Sequence, residues 1–217
     1  MEFALATDNM IKQQLRTNRI LDTQVLSLYE TLPRHAFVPE QYRDMAYSDL
    51  QIPLPHNERM MTPLEEATIL ERLQLRGHET VLEIGTGSGF LTALLSKLCK
   101  KVVSIDIYPD FTQKAQQILQ EYHCDNVSCI TGDGHKGDIE HAPYDVIVYT
   151  GALKTISETQ KLQVTPGGCL VAIFGNAPVL QAQLHRLDHY EQWSHEYLFE
   201  TCLPYLIHAD EKNHFVF

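Results

Sequence analysis

Between Thr80 and Phe90 the chain reads Thr-Val-Leu-Glu-Ile-Gly-Thr-Gly-Ser-Gly-Phe, a short apolar run that ends in a carboxylate and breaks into three alternating glycines. Gly85, Gly87 and Gly89 can take backbone angles and close approaches that a side chain would block, so a ligand can lie against bare main chain. The residues after Phe90 space their apolar side chains at helical intervals, so the loop opens onto a helix start with its unpaired N–H groups and partial positive charge. A strand, a glycine turn and a helix in that order are the opening of an α/β sheet built around a ligand.

Composition narrows what that ligand can be. Twenty-eight acidic against 17 basic side chains give a net charge of −11, which argues against nucleic acid as a partner, because phosphate binding needs clustered Lys and Arg. A small molecule or a peptide fits better. Cys99, Cys124, Cys129, Cys169 and Cys202 are scattered without a Cys-x-x-Cys, so neither a disulfide framework nor a zinc cage is signalled, and reduced cytoplasmic thiols are expected. No apolar run reaches the length of a membrane span, and the first residues lack the basic flank and apolar core of an export signal. The expectation is a cytoplasmic protein forming one domain over 1–217, with a helical arm and lid over 1–76 and a cofactor-binding core over 77–217.

The arm reads as short helices. Thr7 or Asp8 is placed to cap one through Met10, Ile11 and Leu15, and Asp22 a second through Val25, Leu26 and Tyr29. Residues 49–62 are rich in breakers, yet Ile52, Leu54, Met60 and Met61 are too apolar for a free tether, so the stretch is an ordered loop or lid. Thr62-Pro63 then starts a helix that runs to about Gly77. From residue 80, apolar runs at Thr80–Ile84, Val102–Ile105, Val127–Ile130, Val146–Tyr149 and Cys169–Phe174 alternate with helical stretches, a parallel-sheet pattern. Phe111–Tyr122 and Val179–Tyr190 are the clearest of the predicted helices. Tyr197–Leu206 and His214–Phe217 read as two antiparallel strands at the sheet edge.

Three acidic features follow three successive strands. Glu83 ends the first, where it would repel a dinucleotide pyrophosphate; Asp106 ends the second, about twenty residues past the glycines, where it can accept from ribose hydroxyls; and Gly132-Asp133-Gly134 follows the third, where Asp133 can meet an adenine. Helix capping is the competing reading for Asp106 and for Asp133 taken singly. Phe90 stands where a dinucleotide fingerprint has its third glycine, so the set favours S-adenosylmethionine over a nicotinamide dinucleotide. Ser88 lacks the strained elbow and downstream partners of a hydrolase nucleophile.

At this point Met10-Ile-Lys-Gln-Gln-Leu-Arg16, Leu32-Pro-Arg-His-Ala-Phe-Val-Pro39, Ala46-Tyr-Ser-Asp49, Val81–Gly89, Gly132-Asp-Gly134 and Ala142-Pro-Tyr-Asp145 together resemble the protein-L-isoaspartate O-methyltransferase family over nearly the whole chain. The resemblance implies a Rossmann-like methyltransferase fold, a mostly parallel seven-stranded sheet with an antiparallel C-terminal edge strand and an N-terminal helical arm. It also implies S-adenosyl-L-methionine as cofactor and methyl transfer to the carboxylate of an L-isoaspartyl residue in damaged protein, so that the partner is a protein or peptide. Carried over by position, Gly85, Thr86, Gly87, Ser88 and Gly89 form the cofactor loop, with Glu83 beneath it. Asp106 and Ile107 take the ribose side, Asp133 and Gly134 the adenine side, and Met61 the lid contact.

The lid departs from the family. Where members carry a Thr-Ile-Ser core, this chain reads Arg59-Met-Met61, and the serine position is Met61. Thr62 is one residue on and is the catalytic candidate, with helix capping as its competing role; His56 is a candidate substrate contact. Met60 and Met61 are equally readable as core filler. A family protein with this lid can therefore be a methyltransferase with a divergent acceptor, or a cofactor-binding protein without repair activity and with a regulatory role. No metal site is expected: His35, His56, His78, His135 and His141 are scattered, and His185 and His189 fall on the solvated face of a predicted helix.

Overall fold

The structure, a computed structural model, describes residues 3–209. Helix α1 (Phe3–Asn9) runs on into a π-helical stretch, Met10–Leu15, whose Met10, Ile11 and Leu15 are buried. The expected caps are absent, since Thr7 Oγ1 donates back to the Phe3 carbonyl at 2.9 Å and Asp8 pairs with Lys12; the helix simply begins earlier. Asp22 does cap α2 (Thr23–Thr31), accepting from the Gln24 and Val25 amides. The lid is an ordered hairpin of β1 (Ile52–Pro53) and β2 (Arg59–Met60), closed by a turn in which His56 and Asn57 take positive φ. Helix α3 (Pro63–Leu73) follows directly.

The core sheet begins at β3 (Thr80–Ile84) and continues through α4 (Phe90–Leu98), β4 (Lys101–Asp106), α5 (Pro109–Glu121) and β5 (Val127–Thr131). It resumes with β6 (Tyr144–Leu153), the short α6 (Glu158–Lys161), β7 (Val164–Asn176), β8 (Val179–Leu187) and β9 (Trp193–Thr201). The strand order is β5-β4-β3-β6-β7-β8-β9, with β3 to β7 paired in parallel and β8 antiparallel to both its neighbours. The order reverses beside β3, and a doubly wound sheet opens its ligand crevice at the carboxyl ends of the strands at such a point.

Two expectations fail here. The segment Val179–Leu187 is a strand, not a helix: Leu180, Ala182 and Leu184 alternate inward and are buried, with Val179 and Gln181 outward. Leu180, Leu184 and Leu187 also fit helical spacing, so the pattern is ambiguous until pairing with β7 and β9 decides it. His185 consequently faces His195 across β8 and β9, their rings stacked at 5.6 Å, and no His185–His189 helical pair exists. No helix separates β5 from β6. The strand expected at His214–Phe217 lies outside the described residues.

The arm and the sheet share one buried cluster that joins Met10, Tyr29, Phe37 and Met61 to Phe90, Val148 and Val171. All five cysteines are free thiols. Among the described residues no helix is long and apolar enough to cross a membrane.

Candidate functional site

At the carboxyl ends of β3 and β4 lies a cleft whose empty space, including the part open to solvent, is about 830 Å³. Of the residues the sequence nominates, Met61, Glu83, Gly85, Thr86, Gly87, Ser88, Asp106, Ile107, Asp133 and Gly134 line it. Gly89, Thr62 and His56 are not among its lining residues.

The floor is built by β3. Gly85 has φ +101°, and a Cβ there would collide with Thr150 Oγ1, whose hydroxyl donates to the Gly85 carbonyl at 2.7 Å. The backbone turns sharply because β6 presses against it, and only glycine fits. Gly89 serves packing instead: it starts α4 with φ +80°, and a Cβ would lie 3.0 Å from that of Ala115 on α5.

Glu83 is completely buried. Its Oε2 accepts from Thr92 Oγ1 at 2.5 Å and from Ser104 Oγ at 2.6 Å, and Ser104 in turn meets Thr86 Oγ1 at 2.6 Å. Its Oε1 has no partner although the residue lines the cleft. Burial pushes this carboxyl up to about 7, against the two hydroxyl donors, which favour ionisation. Thr92 and Ser104 escaped the sequence reading; their signal is a polar residue inside an otherwise apolar helix and strand.

Asp106 closes the next corner. One carboxylate oxygen accepts from the Gly87 amide at 2.9 Å and the other from the Tyr108 amide at 3.0 Å, so the loop and the start of α5 hang on one side chain. Burial raises its pKa, and the two N–H groups oppose that rise. At the far end Asp133 is clasped by histidines: Oδ1 meets His135 Nδ1 at 2.7 Å and Oδ2 meets His208 Nδ1 at 2.8 Å. These donors outweigh burial and hold the Asp133 carboxyl below its ordinary range. Three metal-capable side chains thus come within 4.8 Å of one another, and hydrogen bonding already accounts for the cluster. The clasp draws the segment after β9 over the cleft, where Leu206 and Ile207 line it and the Leu206 amide donates to the Ala152 carbonyl at 2.9 Å.

The lid is held from below by Arg34, which is fully buried. Its Nε donates to the Ala46 carbonyl at 2.9 Å, one terminal nitrogen donates to the Met61 carbonyl, and the other pairs with Glu66 at 2.7 Å, with the guanidinium 5.0 Å above the Phe90 ring. Burial pushes the Glu66 carboxyl up, and Arg34 opposes the push. Sequence reasoning assigned Arg34 and Glu66 no role, because their contact spans |i−j| of 32. Met61 is buried at the cleft wall. His56 stacks on Tyr108 at 4.0 Å and 3°, with Nε2 3.0 Å from Asp110, and so pins the hairpin tip to α5.

Thr62 forms a capping box. Its hydroxyl accepts from the Glu65 amide at 3.2 Å, and the Glu65 side chain accepts from the Thr62 amide at 2.8 Å. Thr62→Ala is accordingly expected to cost about 1 kcal/mol in urea unfolding, the usual worth of an N-cap, while cofactor affinity stays at the wild-type value. A variant of normal stability with lost transfer would instead restore Thr62 to the chemistry.

With this geometry established, comparison with known proteins places the chain. The sequence model described as protein-L-isoaspartate(D-aspartate) O-methyltransferase (PCMT) matches residues 6–202. The chain belongs to this family. A protein-L-isoaspartate O-methyltransferase of Methanoculleus marisnigri is 38% identical over 168 residues, covering 77% of this chain and 76% of that protein. One from Myxococcus xanthus is 40% identical over 161 residues, covering 74% and 76%. Among solved structures, a protein-L-isoaspartate O-methyltransferase superposes with a TM-score of 0.78 at 24% identity, over 92% of this chain and 65% of that longer one. A beta-aspartate methyltransferase (PCMT) from Plasmodium falciparum, in complex with S-adenosyl-L-homocysteine, gives 0.77 at 15% identity over 94% and 97%. Both superpositions establish the PCMT fold for this chain.

Proposed function

We propose that the chain is an S-adenosylmethionine-dependent carboxyl methyltransferase acting on L-isoaspartyl residues of damaged proteins in the cytoplasm. One observation carries the reading: a buried carboxylate oxygen, Glu83 Oε1, stands without a partner in a cleft floored by bare glycine backbone and closed by Asp106. An unpaired buried acceptor costs free energy unless a ligand satisfies it, and a cationic amino group is the complement. Glu83 would take the ammonium of the methionine moiety, and Asp106, already oriented by two amides, would take the ribose hydroxyls. The residues fit this donor and would repel a pyrophosphate.

The cofactor supplies a methyl group made electrophilic by its sulfonium. The protein then has little acid–base work to do, because a carboxylate acceptor with a pKa near 4 is already ionised at neutral pH and needs no general base. Holding its oxygen in line with the methyl group is worth about 7–11 kcal/mol of effective concentration.

A second reading, cofactor binding without isoaspartyl transfer, is favoured by the lid. Met61 occupies the serine position, and the neighbouring Thr62 hydroxyl is committed to capping α3. Labelled methyl donor with an L-isoaspartyl peptide and its aspartyl twin separates the two: label on the isoaspartyl peptide alone supports repair, and label on neither, with cofactor bound, supports the second. Calorimetry should detect S-adenosylmethionine and not NAD. Asp106→Ala should weaken donor binding by at least about tenfold, since it removes charged hydrogen bonds worth about 1.5–3 kcal/mol; unchanged affinity would remove Asp106 from the site.

A further inference from the structure

The cleft wall is strongly acidic. Glu58, Glu66, Glu83, Asp106 and Asp133 all line it. Glu66 is matched by Arg34 and Asp133 by two histidines, but Glu58, half-buried in the lid, is pushed up by burial and then by Asp106 nearby. An ionised carboxylate entering such a wall is repelled, and the interior's low dielectric strengthens the repulsion. With the donor's cationic groups set against Glu83 and Asp106, Glu58 is the lid carboxylate left facing an acceptor, and a cation beside it lowers the repulsion of an entering carboxylate.

Arg59 is the only Lys or Arg among the described lining residues. No described side chain or carbonyl engages its guanidinium. Its backbone nevertheless stands in a fixed place. Arg59 pairs with Pro53 across the lid hairpin, the Leu54 amide donates to the Glu58 carbonyl at 2.9 Å, and the Met61 carbonyl is held by Arg34. Strand alternation sends Met60, 4% exposed, into the core and leaves Arg59 exposed at the cleft. An ordered strand thus presents an unused cation at the wall of an anionic cleft.

We propose that Arg59 is the specificity-determining residue that grips the acceptor's carboxylate, making this cleft a site for a peptide with a free side-branch or backbone carboxylate. The inference rests on the methyltransferase reading and adds to it the side chain that selects the acceptor. The planar guanidinium presents paired N–H donors that match the two carboxylate oxygens and leave each a second lone pair. In the transfer, that lone pair forms the new C–O bond while the C–S bond of the donor breaks with its electrons going to sulfur; no proton moves. The ester product is neutral, so the contact that recruits the substrate weakens once transfer is complete.

The test is calorimetry of an L-isoaspartyl peptide into full-length protein saturated with S-adenosylhomocysteine, run beside initial rates of transfer. Arg59→Ala is expected to hold S-adenosylhomocysteine within about twofold of wild type, to weaken peptide binding and to raise KM at least tenfold with a smaller change in kcat; Arg59→Lys recovers part of the loss. A peptide whose free carboxylate is amidated should bind wild type no better than the carboxylate peptide binds Arg59→Ala. Equal peptide affinity in wild type and Arg59→Ala overturns the proposal. So does a wild-type protein that binds S-adenosylhomocysteine but no carboxylate peptide, an outcome that leaves the donor site intact. Failure to bind S-adenosylhomocysteine at all overturns this proposal together with the methyltransferase reading.

Discussion

Arg34→Met is expected to destabilise the protein by about 3–5 kcal/mol, the cost of leaving one member of a buried ion pair without its partner. For a chain of this size that lowers the thermal midpoint by roughly 6–20 °C. The loss has several components, because Arg34 satisfies the Glu66 carboxylate, the Ala46 carbonyl and the Met61 carbonyl at once. Adding Glu66→Leu removes the stranded carboxylate, so the double variant should recover much of the loss, as replacing both members of a buried pair by apolar groups commonly does. Urea denaturation of the two single variants and the double decides it. A single variant within about 1 kcal/mol of wild type, or a double no better than Arg34→Met, would remove the ion pair from its place as the lid's anchor. Because the same guanidinium holds Met61 at the cleft wall, cofactor affinity should fall in Arg34→Met as well.

The second large effect concerns Glu83 and pH. Burial raises this carboxyl to about 7 in the folded protein, well above an ordinary glutamate. A raised folded pKa means that the folded state holds the proton more tightly than the unfolded chain. The stability linked to that proton is complete below about pH 4.5 and is lost as pH rises through about 7. Binding runs the other way. A cationic amino group on the cofactor favours the ionised carboxylate, so affinity should rise close to tenfold between about pH 6 and about pH 7.5, following the ionised fraction. The rise then flattens, because an α-amino group itself loses its proton near 8. Glu83→Gln should abolish the rise and weaken binding at about pH 7.5 by about 10–150-fold, the worth of a hydrogen bond to a charged group. Calorimetric titrations in buffers of different ionisation enthalpy would also detect the proton released by wild type. A flat pH profile in wild type would place the cofactor's amino group elsewhere.

Both predictions concern buried charge, and both bear on what can be read without coordinates. The glycine loop, Glu83 and Asp106 were legible because the chain delivers them locally: each sits at the end of an apolar run whose strand character is set by its own residues, and parallel strands bring such ends together. Thr62 was legible as a cap for the same reason, since N-capping is decided within four residues. The segment Val179–Leu187 was not, because Leu180, Leu184 and Leu187 satisfy a helical period while Leu180, Ala182 and Leu184 satisfy a strand period. Its neighbours β7 and β9 broke the tie by supplying hydrogen-bond partners on both edges.

The sequence by itself determined the fold class and the family, and it picked out the glycine loop, Glu83 and Asp106 that line the cleft, because these depend on short-range periodicity and on motifs that carry their own backbone geometry. Tertiary structure alone decided everything that depends on which distant side chains meet. It gave Arg34 to Glu66 and the Met61 carbonyl, His208 to Asp133, and His56 to Tyr108 and Asp110. It also moved Gly89 from the ligand to the α4–α5 contact and left Glu83 Oε1 unpaired in the cleft. The physical reason is that burial and charge compensation are properties of a place in the fold: a carboxylate has an ordinary pKa in the sequence and acquires a shifted one only when the surrounding chain removes its water.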